Sequence, residues 1–206
     1  MTESFHFGAV VLAAGASTRM GEPKQLLRLD GRTLLRRTVD TLLASPAWPV
    51  VVVLGAHMET IRPEVARLPV LIVENREWAE GLASSIRTGM SVLEAFSLSL
   101  EAALLVHCDQ PNLSPDAIAS LIGIHHRAGK SIAAAHYAGH PGPPALFARG
   151  HFHELMELRG SGGAKPLLAR HADLLATVEL PELAVDLDTP ADLRTYLVHQ
   201  PSSGRP

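Results

Sequence analysis

Short apolar runs alternate with helical patterns along this chain, and this alternation is the feature that most constrains its fold. The runs are brief enough for buried strands, and they lie at Gly8–Ala13, Val50–Leu54, Val70–Val73, Ala102–His107 and Ile132–Ala135. Parallel strands need long crossover connections, which helices usually supply, so this order predicts a mostly parallel sheet. We therefore expect an α/β protein with helices packed on its central sheet.

Two amphipathic stripes and two helix-start signals support this interpretation. Apolar residues recur on one face from Thr33 to Leu43 and from Leu82 to about Leu93, which is typical of helices packed on a core. Ser114 and Thr189 each precede a proline and an acidic residue, a pattern that predicts a helix start. We expect one domain over residues 1–198 and a disordered tail over residues 199–206.

The segment from Val10 to Lys24 joins one predicted strand to a flexible, basic loop. Its Gly and Ser residues let backbone N–H groups approach phosphate oxygens, and Arg19 and Lys24 add two positive charges. The segment has neither the G-K-[ST] ending of a Walker loop nor the glycine spacing of a dinucleotide fingerprint. The pattern favours a binding loop for a nucleoside triphosphate. The alternative is a strand-to-helix turn with incidental basic residues.

Asp109 follows the predicted strand Ala102–His107 almost directly, and ligands of open α/β sheets bind beyond the carboxyl ends of strands. A carboxylate there would repel a triphosphate unless a divalent cation lay between them. Mg²⁺ uses one or two carboxylates together with phosphate oxygens, so Asp109 is a candidate ligand and Asp188 a candidate second ligand, with Mn²⁺ as an alternative ion. Asp186 is a less favoured partner. Each aspartate alone would also suit a turn or a helix cap.

The composition limits the classes of partner. The 206 residues carry a formal net charge of −3, which argues against nucleic acid as the main partner, since that usually requires a basic face. No apolar stretch approaches the ~20 residues of a membrane span, and the first residues show no signal-peptide pattern. We expect a cytoplasmic protein without membrane or nucleic-acid partners. The single cysteine, Cys108, follows a predicted buried strand and is expected to be inert.

Five segments in order resemble the MobA-like nucleotidyltransferases, and most closely the molybdenum cofactor cytidylyltransferases. They begin with the loop from Leu12 to Lys24 and continue as Trp78–Arg87, Cys108–Pro111, Gly139–Pro141 and Asp186–Leu193. The resemblance implies a three-layer, Rossmann-like fold with a mixed, mostly parallel sheet. It also implies transfer of CMP from CTP to the phosphate of molybdopterin with release of pyrophosphate, and a molybdenum enzyme is a possible recipient of the product.

The resemblance also assigns roles to the predicted loop. Arg19 would hold the β- and γ-phosphates, Lys24 would stabilise the α-phosphate, and Asp109 with Asp188 would hold the metal. The residues expected to contact the nucleotide here are Leu12, Ala13, Ala14, Gly15, Ser17, Arg19 and Lys24. Related guanylyltransferases read Gly where this chain has Ala14, so we expect the methyl group of Ala14 to narrow the space beside the base and to favour CTP over GTP.

Further along the chain the resemblance concerns the base and the acceptor. Ser84 and Ser85 open a predicted helix, where they would meet the base or ribose, although helix capping would also explain one of them. His140 lies on the acceptor side of the family pattern, but Gly142 and the two following prolines favour a plain loop. Ser161 and Lys165 stand where relatives carry an acid and an arginine, which concerns acceptor binding.

Two further questions stay open from the sequence. His151 and His153 have a spacing that suits a strand, but no third ligand is near in sequence, so we expect no zinc site there. The acceptor end is also less well defined than the donor end. A transferase that uses another nucleotide or acceptor, such as a guanylyl or sugar-phosphate enzyme, and a non-catalytic cofactor chaperone therefore remain alternatives.

Overall fold

The computed structural model describes residues 5–199, which form a seven-stranded sheet between two layers of helices. The strands are β1 (Phe7–Leu12), β2 (Arg28–Leu29), β3 (Arg32–Thr33), β4 (Val50–Leu54), β5 (Leu71–Glu74), β6 (Ala102–His107), β7 (Ile132–Tyr137), β8 (His140–Ala148) and β9 (Leu175–Glu179). The helices are α1 (Leu34–Leu43), α2 (Met58–Ile61), α3 (Leu82–Phe96), α4 (Pro115–Ala128), α5 (Phe152–Met156), α6 (Lys165–Arg170) and α7 (Pro190–His199).

The sheet has the order β5-β4-β1-β6-β8-β7-β9, while β2 and β3 form a separate two-stranded ribbon. Within the large sheet, β8 runs antiparallel to both of its neighbours, and the other adjacent strands are parallel. The predicted mixed, mostly parallel sheet is therefore confirmed. Among the described residues, no helix combines the length and the apolar character needed to cross a membrane.

Successive residues of β1 point into two different cores, which explains its continuous apolar sequence. Ala9 and Val11 pack in the core that contains residues of α1 and α4. Val10 and Leu12 pack in the core that contains residues of α3, α5 and α6. Because a central parallel strand is covered on both faces, it needs apolar residues at every position rather than at alternate ones.

The predicted helix starts are confirmed by their caps. The Thr33 hydroxyl accepts a hydrogen bond from the backbone N–H of Arg36, and the Ser114 hydroxyl accepts one from that of Ala117. At the other end of the chain, α7 continues to His199. The prediction of a tail was therefore wrong at residue 199, and its remaining part, residues 200–206, lies outside the described residues.

The segment that starts at His140 is a strand, so the prediction of a loop there was wrong. Ala138 and Gly139 both have positive φ angles and join β7 to β8 in a tight hairpin. The pairing then shifts register, because Ala134 pairs with Ala145 whereas Ala135 pairs with Gly142. Pro143 and Pro144 lie in this bulge, where their missing N–H groups interrupt no regular ladder.

Gly89 marks a close approach of α3 to the sheet. A Cβ atom at this position would lie 2.3 Å from Val10 Cγ1 and 3.0 Å from Val53 Cγ2. We expect Gly89→Ala to lower the free energy of unfolding by about 1–3 kcal/mol, because overpacking outweighs the gain in helix propensity. Urea denaturation of the purified protein measures this change.

Gly123 in α4 provides the matched control. A Cβ atom there would meet only the guanidinium end of Arg127, which can move away. Gly123→Ala should therefore be neutral or should stabilise the protein by up to about 1 kcal/mol. Equal effects of the two substitutions would contradict the packing argument.

Candidate active site

A cavity of about 290 Å³ lies at the carboxyl ends of β1 and β6, which are parallel neighbours. Its lining includes these predicted site residues: Leu12, Ala13, Ala14, Gly15, Arg19, Lys24, Ser85, Asp109 and Asp188. It also includes Gln25, Leu82, His107, Cys108 and Asp186, which were not predicted as site residues. The structure thus brings the basic loop and both aspartates of the sequence hypothesis to one cavity.

Lys24 lies between two carboxylates at the centre of this cavity. Its Nζ atom is 2.5 Å from Asp109 Oδ2 and 2.8 Å from Asp188 Oδ1. Arg19 Nη2 lies 2.8 Å from the other oxygen of Asp188, Oδ2. The side chain of Arg19 is 70% exposed whereas that of Lys24 is 17% exposed, so the cavity combines one shielded cation with one that can move.

Two local contacts place Asp188 beside Asp109. The backbone N–H of Leu187 donates to the carbonyl oxygen of Asp109 at 3.1 Å, and the Leu187 side chain is fully buried. Asp192 accepts hydrogen bonds from the backbone N–H groups of Asp188 and Thr189, as part of the cap that starts α7. The helix start predicted at Thr189 therefore also fixes the position of a site carboxylate.

The cavity carries more negative than positive groups. Burial opposes the charge on Lys24, but the attraction of Asp109 and hydrogen bonds to both aspartates raise its pKa above the ordinary value. Burial also opposes the charge on Asp109, but attraction from His107 and from the Lys24 ammonium, which also donates a hydrogen bond, holds the pKa of this carboxyl below its usual range. Burial, with repulsion from Asp109 and Asp188, raises the pKa of Asp186 to about 6.

One buried oxygen of the site has no partner. Asp109 Oδ1 has no hydrogen-bond partner within residues 5–199, and His107 Nδ1 lies 3.9 Å from it. Burial lowers the pKa of His107, which favours the neutral ring. Since a buried charged oxygen without a donor is costly, this atom is suited to a ligand that supplies positive charge.

Gln25 holds the basic loop in place and was missed by the sequence analysis. Its side chain is buried, and Nε2 donates to the carbonyl oxygens of Ala13 and Gly15 at 2.8 and 2.9 Å. Its Oε1 accepts from the Ser17 hydroxyl, which in turn accepts from the backbone N–H of Lys24. Ser17 therefore supports the loop from behind and does not line the cavity.

The two predicted base-contacting serines occupy different positions. Ser85 lines the cavity, whereas Ser84 is buried and its hydroxyl donates to the carbonyl oxygens of Glu77 and Gly81. Both hydroxyls accept hydrogen bonds from Nδ2 of the buried Asn75. Ser84 thus has a structural role in the start of α3. Asn75 carries no local sequence signal, because its partners come from the following helix.

The predicted acceptor residues lie outside the cavity lining. His140 is exposed at the start of β8, and its ring lies edge-on to that of Tyr137. Ser161 packs against Gly81, because a Cβ atom added to Gly81 would lie only 2.8 Å from Ser161 Cα. Gly81 also has a positive φ angle of 120°. Lys165 is exposed but close enough to act on two groups of the cavity. Its positive charge contributes to the lowered pKa of His107, and it partly offsets the rise in the pKa of Asp186.

Gln110 does not line the cavity, and its side chain hydrogen-bonds to other parts of the fold instead. Its Nε2 faces three acceptors, the Tyr137 hydroxyl and the carbonyl oxygens of Pro143 and Leu183, at 3.0–3.1 Å. The residue after Asp109 therefore links the β7–β8 hairpin to the segment before α7. Cys108 is buried, and burial with the nearby Asp109 charge raises its pKa to about 12, in agreement with the expected inert thiol.

A larger cavity of about 540 Å³ lies beside α1, but its charged side chains form separate ion pairs. Arg32 contacts Asp40 and Arg37 contacts Asp30, each at 3.1 Å. The smaller cavity is the better candidate because its carboxylates and cations converge on one point.

The expectation of no third ligand near His151 and His153 was wrong for His151. The two histidines lie at the start of α5 and not in a strand. His151, Glu154 and His171 present atoms that all lie within 4.8 Å of one another, because the chain returns to α5 after α6. His153 is exposed and contacts Glu157 instead.

Comparison with known proteins identifies the family of this chain. The model of the MobA-like NTP transferase domain matches residues 9–174. The chain belongs to this family. The match spans the basic loop, Asp109 and the segment of Ser161 and Lys165, but it ends before Asp188.

Two curated relatives of this MobA-like domain carry different activities in their names. Nicotine blue oxidoreductase of Paenarthrobacter nicotinovorans is 36% identical over 69% of this chain and 67% of that protein. Molybdenum cofactor cytidylyltransferase of Escherichia coli is 24% identical over 90% of this chain and 93% of that protein. Other relatives are longer bifunctional proteins, of which the chain spans only 21–30%.

Solved structures of similar chains share the fold. A homologue of Mycobacterium tuberculosis Rv0371c from Mycobacterium sp. strain JC1 superposes with a TM-score of 0.80 and 31% identity, covering 93% of this chain and 95% of that one. Rv0371c of M. tuberculosis in complex with manganese has a TM-score of 0.76 and 26% identity, covering 95% and 100%.

The loop geometry leads to a prediction about Gln25. Gln25→Ala removes the donor that the carbonyl groups of the buried Ala13 and the exposed Gly15 share, so we expect a loss of about 1–3 kcal/mol in the free energy of unfolding. Trypsin should also cleave the loosened loop faster after Arg19 or Lys24. Thermal unfolding and timed proteolysis measure both effects.

Two variants control this experiment. Gln25→Glu keeps the shape but cannot donate, so it should be at least as damaging as Gln25→Ala. Glu22→Ala changes an exposed residue of the same loop and should leave both readouts unchanged. A stable, protease-resistant Gln25→Glu protein would contradict the role assigned to the amide.

Proposed function

We propose that this chain is a metal-dependent nucleotidyltransferase that transfers CMP from CTP to the terminal phosphate of molybdopterin, with release of pyrophosphate. The observation that carries the proposal is the convergence of Lys24, Asp109 and Asp188 beside the glycine-containing loop after β1, with the exposed Arg19 at its edge. The match to the cytidylyltransferase of E. coli over 90% of the chain supports the choice of substrates.

The residues at the centre of the cavity fit a divalent cation. Asp109 and Asp188 supply carboxylate oxygens, which Mg²⁺ and Mn²⁺ prefer, and Asp109 Oδ1 is buried without a donor. Three aspartates against Arg19 and Lys24 would otherwise repel a triphosphate. When bound, the cation would neutralise the phosphate charge and polarise the reacting phosphoryl group. The manganese complex of the structurally similar Rv0371c supports divalent-metal use.

Lys24 and Arg19 would divide the work on the triphosphate. With metal and nucleotide present, the Lys24 ammonium can exchange a carboxylate oxygen for a phosphate oxygen, and its raised pKa keeps it charged. Its shielded place at the end of β1 suits the α-phosphate, where negative charge builds up in the transition state. Arg19 is exposed and suits the β- and γ-phosphates, which its planar guanidinium can bind with two hydrogen bonds.

The reaction itself requires positioning more than proton transfer. An oxygen of the acceptor phosphate forms a bond to the α-phosphorus of CTP while the bond from that phosphorus to the α–β bridging oxygen breaks, and pyrophosphate carries away the electron pair. A phosphate monoester is already ionised near neutral pH, so no general base is needed. The site contributes by aligning the two phosphates and by offsetting their repulsion.

The acceptor would enter beside the segment Gly160–Lys165. Ala83 N donates to Gly160 O at 3.2 Å, so this segment borders the start of α3 and the cavity-lining Leu82. Lys165 offers a point charge for an anionic acceptor, with Ser161 as a further polar group of the same segment, and the exposed His140 of β8 is the third proposed acceptor residue. The composition and the reduced, buried Cys108 favour a cytoplasmic reaction, and a molybdenum enzyme is a suitable recipient of the product.

A second candidate function is an oxidoreductase, because nicotine blue oxidoreductase shares 36% identity with this chain. That chemistry needs a redox cofactor, and the paired carboxylates around Lys24 are better suited to a metal–triphosphate complex. Pyrophosphate release, assayed with each of the four nucleoside triphosphates and molybdopterin, separates the candidates. Oxidation of NADH or NADPH without pyrophosphate release would replace the transferase proposal, and binding without turnover would favour a cofactor chaperone.

Base choice provides a sharper prediction. Ala14 lines the cavity and packs closely against Gly55. A Cβ atom added to Gly55 would lie 2.9 Å from Ala14 Cβ and 2.7 Å from Trp78 Cβ, so there is little free space around the Ala14 methyl group. We expect GTP to compete weakly against CTP in the wild type. Ala14→Gly should strengthen GTP inhibition about tenfold, which corresponds to ~1.4 kcal/mol, because the added room admits a purine.

Ala13→Gly is the matched control, since it makes the same change in the neighbouring residue, whose side chain packs in the opposite core. It should leave the ratio of GTP to CTP inhibition unchanged. Equal use of the two nucleotides by the wild type would overturn the cytidylyl assignment.

The metal assignment predicts different effects for two aspartates of the same cavity. Asp109→Asn should reduce turnover about a hundredfold or more, because it removes a preorganised charge at the reacting phosphates. Asp186→Asn removes a formal charge from the same cavity but not one that contacts Lys24, so its effect should be clearly smaller. Turnover at saturating Mg²⁺, with circular dichroism to verify folding, tests this. Wild-type turnover of Asp109→Asn would exclude Asp109 as an essential ligand.

A further inference from the structure

A cluster of two histidines and a glutamate lies outside the proposed active site, on the face of the sheet covered by α3, α5 and α6. His151 and Glu154 are three residues apart at the start of α5, and His171 follows the end of α6. None of the three lines the candidate active site. The proposed transferase reaction leaves this cluster without a role.

Two distances within the cluster are close to those between the ligands of one metal ion, and all its ligand atoms lie within 4.8 Å of one another. Glu154 Oε1 lies 3.4 Å from His151 Nδ1 and 3.0 Å from His171 Nε2. Ligands about 2.0–2.1 Å from a tetrahedral zinc ion are roughly 3.3 Å apart, and two histidines with a glutamate form a known type of zinc ligand set. The cluster therefore needs little rearrangement to surround an ion.

Neighbouring groups orient the ligand atoms. His151 Nε2 lies 2.8 Å from the Ser131 hydroxyl, so an N–H at Nε2 can donate to this oxygen and leave the Nδ1 lone pair directed at Glu154. Such outer hydrogen bonds are typical of metal-bound histidines. Arg170 Nη1 donates to Glu154 Oε2 at 3.3 Å, which leaves Oε1 for an ion.

The burial of the cluster is uneven in a way that suits metal entry. The His151 side chain is only 8% exposed, whereas those of His171 and Glu154 are 21% and 30% exposed. One side of the cluster is therefore open to solvent, where water can complete a tetrahedral set.

We propose that His151, Glu154 and His171 bind one divalent transition-metal ion of the zinc type, at a site separate from the phosphate-binding metal. In the metal-free protein, Glu154 accepts the proton of His171 Nε2, and the ion would take the place of that proton. The oxygen-only active site and this nitrogen-containing site would thus select different metals, Mg²⁺ or Mn²⁺ in the first and Zn²⁺ in the second.

The position of the cluster suggests what such an ion would do. His151 and His171 are the two ends of a segment that includes Gly160–Lys165, which packs on Gly81 through Ser161. An ion that joins these ends would close a loop of 21 residues, counted from His151 to His171. Closing the loop reduces the number of conformations that the segment can adopt when it is not packed on the rest of the protein. The ion would hold the segment against the start of α3.

Zinc titration of the whole protein tests the site. By calorimetry, the wild type should bind one equivalent of Zn²⁺ more than His171→Gln or Glu154→Gln, in Mg²⁺-containing buffer so that the oxygen-only site is occupied. His153→Gln, which removes an exposed histidine from the same helix, should bind as the wild type does. Ser131→Ala should weaken binding about tenfold while the stoichiometry is retained, because Ser131 only positions His151.

Two measurements on the unmodified protein guard against variants that fail to fold. Zn²⁺ should raise the midpoint of thermal unfolding, and it should slow trypsin cleavage after Arg159 about tenfold or more. Co²⁺ bound in place of Zn²⁺ should show the strong visible absorption of a four-coordinate ion with nitrogen ligands. Equal zinc stoichiometry in the wild type and both ligand variants, or Co²⁺ spectra typical of six oxygen ligands only, would overturn the proposal.

Discussion

The contact of Lys24 with Asp109 and Asp188 is the interaction on which the candidate site depends. It joins three segments that are far apart in the chain: the loop after β1, the end of β6 and the start of α7. Removing one partner of a largely buried ion pair is costly, because the remaining charge stays desolvated. The site is therefore held in an assembled form before any ligand binds, and the charge arrangement favours a ligand that brings its own cation.

The proposed donor half of the site was predictable from the sequence because its signals are local. Parallel strands place their carboxyl ends at the same edge of the sheet. The residues that follow β1 and β6, among them Lys24 and Asp109, were therefore expected at one edge, and β1 and β6 are neighbours in the structure. Asp188 does not follow a strand. Its capping pattern located a helix start, but its place beside Asp109 depends on the Leu187–Asp109 backbone hydrogen bond, which has no sequence signal.

The features that the sequence did not reveal depend on contacts between distant segments. Gln25 and Asn75 resemble ordinary surface amides in the sequence, yet each is buried and satisfies several groups of the site. The two prolines of β8 favoured a loop in the sequence. The bulge that accommodates them arises from the pairing of β7 with β8, which the sequence of β8 alone does not show. The partner of His151 is 20 residues away, and only the turn of the chain through α6 brings His171 to it.

The two halves of the cavity are built by different means, and this has a consequence for substrate choice. The proposed donor half is formed by the loop after β1, by Asp109 after β6 and by Asp188 before α7, so two of its three segments are positioned by the ends of parallel strands. The proposed acceptor half borders the Gly160–Lys165 segment, which lies outside the sheet and contacts the start of α3 through Gly160 and Ser161. Loops of this kind tolerate sequence change better than strands do. A family with this architecture can therefore retain one mode of phosphate binding while its acceptors diverge. A metal ion bound by His151, Glu154 and His171 would hold the ends of the chain around Gly160–Lys165 in a fixed position even if the sequence of that loop varied.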